Sequence, residues 1–458
     1  MSEFNSSAPS DATTDTSTTA ATAATAAIAG GRLRPAVIVG GNRTPFARAH
    51  GAYASVSNKD LLTSALSGLV ARFGLQGERI GEVAAGAVIK HSKDFNLTRE
   101  SVLGTSLDPT TPAHEVQIAC ATGMEAIGGL ANKIRLGQLD SAIGGGVDSI
   151  SDAPLVFNDA ARAVLMELNR ARTAQDRIKA VLKFRPGHLA PEAPGTEEPR
   201  TGLSMGDHQA RTTLQWGISR QAQDELALAS HQNLAAAYDR GFFDDLVTPF
   251  GKLSKDNSLR ADSTLEKLGT LKPAFGRDLG SDATMTAGNS TPLTDGASTV
   301  LLGSEEWAAE KGLPVLAEFV DFETGAVDFV DGKEGLLMAP VYALPRLLRR
   351  QGLSLQDFDY YEIHEAFAGT VLSTLKAWED EEFCRSALGL DAPLGSIDRT
   401  KLNVNGSSLA AGHPFAATGG RITATLAKLL HEKGPGSLGL ISVCAAGGQG
   451  IVAIVRGR

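Results

Sequence analysis

Leu438-Gly-Leu-Ile-Ser-Val-Cys444-Ala-Ala-Gly-Gly448 is an apolar run that ends in a thiol and breaks into glycines. Earlier in the chain, Ser141-Ala-Ile-Gly-Gly-Gly-Val-Asp-Ser149 has the same plan. Each follows a helix-like stretch of small residues, one from Cys120 to about Gly137 and the other from His413 to about Lys433. Helix, apolar strand and glycines thus occur once in each half, as two related α/β halves would produce, with a reactive group at matching helix starts. Pro35–Gly41 and Val83–Ile89 read as buried strands. Asn58–Phe73 reads as an amphipathic helix, with Leu61, Leu62, Ala65, Leu66 and Leu69 at helical spacing. Strands alternating with helices predict a mainly parallel α/β sheet.

The rhythm breaks between about Ala153 and Arg277, where seven prolines fall. Residues 160–187 carry seven basic residues against two acidic ones. Val164, Leu165 and Leu168, then Ile178, Val181 and Leu182, recur at helical spacing there, which predicts two short amphipathic surface helices. The expected division is a first half over 32–154 plus 279–311, an inserted loop domain over 155–278, and a second half over 312–458. The strand pattern is expected to resume at Ala283–Asn289. Residues 1–31, rich in Ser, Thr and Ala, read as a disordered tail with neither secretory nor mitochondrial leader character.

A chain of 458 residues exceeds one ordinary core. Its net charge of -9 argues against a nucleic-acid partner, which calls for basic excess. Three cysteines are too few for a disulfide framework and suit a reducing, cytoplasmic setting. No stretch reaches the roughly 20 apolar residues of a membrane span.

Three residues draw the chemistry. Cys120, in Gln117-Ile-Ala-Cys-Ala-Thr-Gly123, stands at a helix start, where the helix dipole and free N–H groups are expected to lower a thiol pKa. Cys444 enters a glycine turn, and His413 precedes Pro414, expected at a first helical position. A thiol nucleophile with two acid/base partners suits this set. His364, in Tyr361-Glu-Ile-His-Glu-Ala-Phe-Ala368, stands at a strand end or turn; Cys384, among charged residues, receives no role. A zinc site from Cys120, Cys444, His364 and His413 is disfavoured, because no close paired ligand spacing occurs. A decarboxylating synthase, a Cys-His hydrolase and a non-catalytic scaffold compete. The second thiol, Cys444, speaks against the first two, and the full reactive set against the third.

In combination, Ile118-Ala-Cys120-Ala-Thr-Gly-Met124, His364-Glu-Ala-Phe367, Gly412-His413-Pro414 and Cys444-Ala-Ala-Gly-Gly-Gln-Gly450 resemble the thiolase family in order and spacing. The resemblance runs from residue 35 onward and includes Leu203-Ser-Met205-Gly206 and Thr286–Gly296. It implies thiolase-like duplicated α/β halves in a layered α-β-α-β-α core with an inserted loop domain. The implied activity is acyl exchange with 3-ketoacyl-CoA, in either the thiolytic or the condensing direction. Cys120 is then the acylated nucleophile, and His413 takes its proton and helps polarise a thioester oxygen. Cys444 moves protons on acetyl-CoA and on coenzyme A, and His364 holds a water in an oxyanion hole. The backbone N–H groups of Cys120 and Ala446 make a second hole; many relatives have glycine at the position of Ala446. Met205, Asn289, Thr291, Ala366 and Phe367 are implied to bind CoA or the acyl group. No cofactor is implied, coenzyme A and acyl-CoA being substrates. Many thiolases have Asn where this chain has His364. That histidine, with Lys183-Phe-Arg-Pro186 and Leu189-Ala-Pro-Glu192, resembles the beta subunit of the fatty-acid-oxidation trifunctional complex. Implied partners are therefore a second copy, as dimer or dimer of dimers, and a hydratase/dehydrogenase alpha subunit. Residues 160–187 are a candidate peripheral membrane contact.

Overall fold

The computed structural model describes residues 33–331 and 334–458; the expected tail over 1–31 lies outside them. Nine strands follow one path: β1 (Val37–Arg43), β2 (Glu82–Ala85), β3 (Ala113–Glu115), β4 (Ser141–Asp148), β5 (Thr294–Gly303), β6 (Ala317–Ala326), β7 (Tyr360–Ile363), β8 (Leu438–Ala445) and β9 (Gln449–Gly457). Their spatial order is β7-β8-β9-β6-β1-β5-β4-β2-β3, and the short strand Ala47–Arg48 adds to β5 alone.

This order contains a repeat. From its edge, the first half runs third, second, fourth, fifth, first. The second half runs the same way, its third strand reduced to one parallel bridge between Tyr361 and Leu402. Pairing senses match as well: second with fourth parallel, fourth with fifth and fifth with first antiparallel. Among the described residues, two pairs, Val37–Glu318 and Ile38–Ala317, join the halves through β1 and β6. The expectation of a mainly parallel sheet is thus corrected. Antiparallel pairs dominate, and in the second half the cause is local: β8 and β9 are joined by a tight turn, which can only reverse the chain.

Alternation along the strands makes the layers. On β1, Val37 and Val39 face one core while Ile38 faces another. On β9, Ile451, Ala453 and Val455 face the shared central core while Val452 and Ile454 face outward. With residues packed on both faces, each half of the sheet needs helices on both sides. Helix α1 (Asn58–Arg72) covers the first half from outside through Leu61, Leu62, Leu66 and Leu69. Helices α2 (Thr122–Arg135) and α4 (Thr418–Lys433) fill the middle through Met124, Ile127 and Leu130 and through Ile422, Leu426 and Leu430. Helix α3 (Ala339–Gln351) covers the second half through Val341, Leu344 and Leu347. The α-β-α-β-α layering follows.

The central helices meet at their N-termini without side chains between them. A Cβ on Gly123 would lie 2.6 Å from the Ala416 carbonyl oxygen, and one on Gly419 would lie 2.4 Å from the Met124 nitrogen. That close approach brings the Cys120 and His413 segments to one place.

Three local expectations are corrected. The strand at Val83 stops at Ala85, because the N–H groups of Val88 and Ile89 turn aside to donate to Asp148. Residues 283–289 form a turn instead of a strand. There Asn289 Oδ1 accepts from the Thr286 N–H, and Thr286 Oγ1 from the Gly288 N–H, so side chains satisfy the backbone locally. Pro414 does not open an α-helix either. A single 3-10 turn, Phe415–Ala417, intervenes before α4.

Within the excursion, the basic stretch forms two helices, Asp159–Arg170 and Ala174–Val181, packed on each other. Ala161, Val164 and Ala180 are buried between them, while Ile178, Val181 and Leu182 are exposed. Helices Met205–Gln215 and Arg220–Asp239 pack on Ala368–Glu379 of the second half.

Candidate active site

Cys120 stands one residue before Ala121, the N-cap of α2. Its neighbour Ala119 has φ 45°, a left-handed conformation that costs a non-glycine residue energy and persists only where its surroundings hold it. They do: Thr122 Oγ1 donates to the Ala119 carbonyl at 2.7 Å and accepts from the Ile118 N–H at 2.9 Å. The elbow is thereby pinned.

The thiol does not behave as its helix-start position predicts. Burial pushes Cys120 up to about 12, with the nearby Asp148 charge adding to the rise. Hydrogen bonds from the N–H groups of Ala446 and of Cys120 itself pull the other way and are outweighed. Desolvation of a thiolate exceeds what one helix end returns. The cysteine therefore rests as a thiol and needs a base. Cys444, near the end of β8, is also buried and is raised further, by burial first and by the Cys120 charge second.

Both histidines are buried and neutral. Burial, then Arg421, lowers His413 to about 3; burial, His413 and Arg421 hold His364 well below its ordinary value. Their rings lie 4.1 Å apart between centroids. His413 Nδ1 is 2.6 Å from Thr418 Oγ1, and the His413 N–H donates to Thr294 Oγ1 at 2.7 Å. His364 Nδ1 is 2.8 Å from Ser408 Oγ, and the His364 N–H donates to the Ser442 carbonyl, two residues before Cys444. The Nε2 atoms of both rings have no protein partner among the described residues, although they are buried. Two neutral imidazoles with free Nε2 atoms, beside two protonated thiols, are equipped to move protons.

The segment 442–447 ties these groups together. Ser442 holds His364, Cys444 follows, and the Ala446 N–H reaches the Cys120 sulfur. Gly447 and Gly448 take φ of 76° and 69°, which closes the turn. The Gly447 N–H donates to Glu198 Oε1 at 2.7 Å, so the excursion braces this turn.

The remaining sequence-predicted residues fall in two groups. Ala366 and Phe367 share an apolar cluster with Cys444, Met285, Leu336 and Leu337, and Met205 packs against it. Thr291 lies alongside, its N–H donating to the Ala366 carbonyl and its hydroxyl to the Ser408 carbonyl. Asn289 is fully buried and spends its amide on Asp224 and Thr284. Cys384 lies apart, buried against the Ala377 and Trp378 carbonyls. No cluster of three or more His, Cys, Asp or Glu suited to a metal occurs among the described residues.

Sequence reasoning did not single out Asp148, Glu198, Ser408 or Arg421. Asp148 accepts from the N–H groups of Val88, Ile89 and Ala416, and burial raises it to about 7. It was legible only as the polar end of an apolar strand. Glu198 lies more than two hundred residues from its partner and gave no local signal.

Comparison with known proteins accords with this geometry. Residues 36–306 match the family "Thiolase, N-terminal domain" and residues 313–457 match "Thiolase, C-terminal domain". A 3-ketoacyl-CoA thiolase of Yersinia enterocolitica is 41% identical over 92% of this chain and 96% of its own length. The crystal structure of the Bacillus anthracis acetyl-CoA acetyltransferase superposes with TM-score 0.76 at 30% identity, covering 93% of this chain and all of that one. Human mitochondrial 3-ketoacyl-CoA thiolase in complex with CoA gives TM-score 0.76 at 28% identity, over 93% of this chain and 99% of its own. The chain belongs to the thiolase family of acyltransferases.

Proposed function

We propose that this chain cleaves 3-ketoacyl-CoA with coenzyme A, reversibly, through an acyl group carried on Cys120. The observation that carries the reading is the pairing of two thiols: Cys120, half-buried beneath the Ala446 N–H, and Cys444, buried within reach of its charge. His413 Nε2 takes the Cys120 proton, and the thiolate attacks the keto carbon. The bond to the adjacent carbon breaks, and acetyl-CoA leaves as an enolate that takes the Cys444 proton. Cys444 thiolate then deprotonates an incoming coenzyme A. That thiolate attacks the acyl-cysteine and releases a shortened acyl-CoA, and Cys120 recovers its proton from His413. His364 Nε2 serves the first oxyanion hole, holding a water. The Cys120 and Ala446 N–H groups serve the second, where preorganised donors stabilise the developing charge.

Met205, Thr291, Ala366 and Phe367 line the acyl and pantetheine path in this proposal, and Asn289 holds their loop instead of touching substrate. The halves divide as 32–154 plus 279–311 and 312–458 around a loop domain at 155–278. We also propose a dimer or dimer of dimers, supported by β3, an edge strand that among the described residues pairs only with β2. A hydratase/dehydrogenase alpha subunit as partner and a cytoplasmic location rest on the likeness to the trifunctional beta subunit and on cysteine usage. No helix among the described residues is long and apolar enough to cross a membrane. Exposed Ile178, Val181 and Leu182 among basic side chains support peripheral lipid contact by the excursion.

Steady-state thiolysis of 3-ketoacyl-CoA should be ping-pong, with an acyl adduct on Cys120 visible by mass spectrometry. Ternary-complex kinetics with no adduct at Cys120 would sink the reading.

A further inference from the structure

Behind His364 lies a buried guanidinium that the mechanism above does not use. Arg421, in the first turn of α4, is 4% exposed. Its Nη2 donates to Ser408 Oγ at 2.8 Å and to Ser407 Oγ at 3.1 Å. Ser408 Oγ in turn lies 2.8 Å from His364 Nδ1. Arginine carries five donors and no acceptor, so the Ser408 oxygen must present a lone pair to it. The hydroxyl dipole then points its hydrogen away from the cation, toward His364. Arg421 and His364 are the only side chains bonded to that hydroxyl among the described residues.

Burial lowers the guanidinium's pKa, and two carboxyl groups beside it act against that fall. Glu362 and Glu365, on either side of His364 in sequence, both act on it. Glu365 accepts from Ser230 Oγ, the Asn403 amide and the Leu409 N–H, three donors suited to a carboxylate.

We propose that Arg421, acting through Ser408, fixes His364 in the tautomer that carries its proton on Nε2, the ring edge away from Ser408. His364 is then a dedicated hydrogen-bond donor. His413 is backed by Thr418 alone, with no cation bonded to that hydroxyl among the described residues, and keeps Nε2 available as an acceptor. Two adjoining histidines, their rings tilted by 47°, thereby take opposite duties, one holding an oxygen and the other receiving a proton. Arg421 and Ser408 are positioning residues. The duty assigned to His364 rests on the thiolase reading, but the tautomer does not.

Nitrogen NMR of full-length protein labelled with 15N-histidine tests it, with His364→Asn identifying the resonances. Wild type should show a pyridine-type Nδ1 and a pyrrole-type Nε2 for His364. Ser408→Ala should move both toward tautomer-averaged positions and lower kcat for thiolysis about tenfold, with KM within about twofold. Arg421→Lys keeps a cation and should shift the resonances less than Ser408→Ala. A pyrrole-type Nδ1 in wild type, or an unchanged tautomer in Ser408→Ala, would overturn the proposal. Because the wild-type spectrum needs no variant, misfolding of a substituted chain does not shield it. Absent thiolysis with the expected spectrum would strike the proposed function and leave the positioning intact.

Discussion

The two halves are the same strand plan used for different purposes, and their strand ends show how. Asp148 stands 26 residues after Thr122, and Cys444 stands 26 residues after Thr418, each at or next to the last position of its fourth strand. The contacts cross over. Asp148 of the first half accepts from Ala416, just before the second half's helix. Ala446, two residues past Cys444, donates to Cys120, just before the first half's helix. In one half the equivalent position is a carboxyl that braces backbone; in the other it is a thiol that can exchange a proton. The exits differ too. After Cys444 the chain closes in a short glycine turn, whereas after Asp148 it opens into the excursion before β5. Duplication supplied two helix starts and two strand ends facing one another, and a few side-chain choices divided nucleophile from acid/base.

Removing the thiols breaks that division most severely. Cys120→Ala should lower thiolysis about 10⁴-fold and abolish the acyl adduct. Cys444→Ala should lower turnover roughly a thousandfold yet still acquire the adduct at Cys120. It should also lose deuterium exchange at the acetyl-CoA methyl. Exchange at the wild-type rate in that variant would remove Cys444 from the proton steps.

The helix contact comes next. Gly419→Ala places a methyl 2.4 Å from the Met124 nitrogen and should cost about 1–3 kcal/mol, read as a drop in denaturation midpoint. Gly129→Ala, in α2 with open space around it, should be neutral or stabilising by up to about 1 kcal/mol. Equal effects at the two sites would mean that the helices do not abut as described.

The resting state of Cys120 can be read from pH. With the thiol raised to about 12, the thiolate fraction at neutral pH is small and grows as pH rises. Alkylation of Cys120 by iodoacetamide should therefore climb about tenfold per pH unit from 7 to 10 with no plateau. A plateau near neutrality would reveal a preformed thiolate–imidazolium pair instead.

The smallest effect on catalysis is expected farthest from the strand ends. Exchanging Arg170, Arg172, Lys179 and Lys183 for Glu should leave acetoacetyl-CoA cleavage within about twofold, while weakening binding to anionic liposomes in a salt-dependent way. Unchanged liposome binding would reduce these helices to a solvated face.

Sequence alone determined the repeat, since helix spacing, apolar runs and terminal glycines are local properties that need no partner. It also marked Cys120, His364, His413 and Cys444, because motifs keep reactive residues at element ends. What it missed required distance in the chain. Strand direction was misjudged, because pairing sense depends on which strands become neighbours. The lowered thiol pKa expected at Cys120 counted the helix end and could not count the desolvation imposed by residues more than three hundred positions away. Ser408, Arg421 and Glu198 are ordinary polar residues until folding sets them behind His364 and beneath Gly447. Local patterning wrote the elements and the reactive side chains. Burial and long-range hydrogen bonding, which exist only in the packed chain, set their protonation and their neighbours.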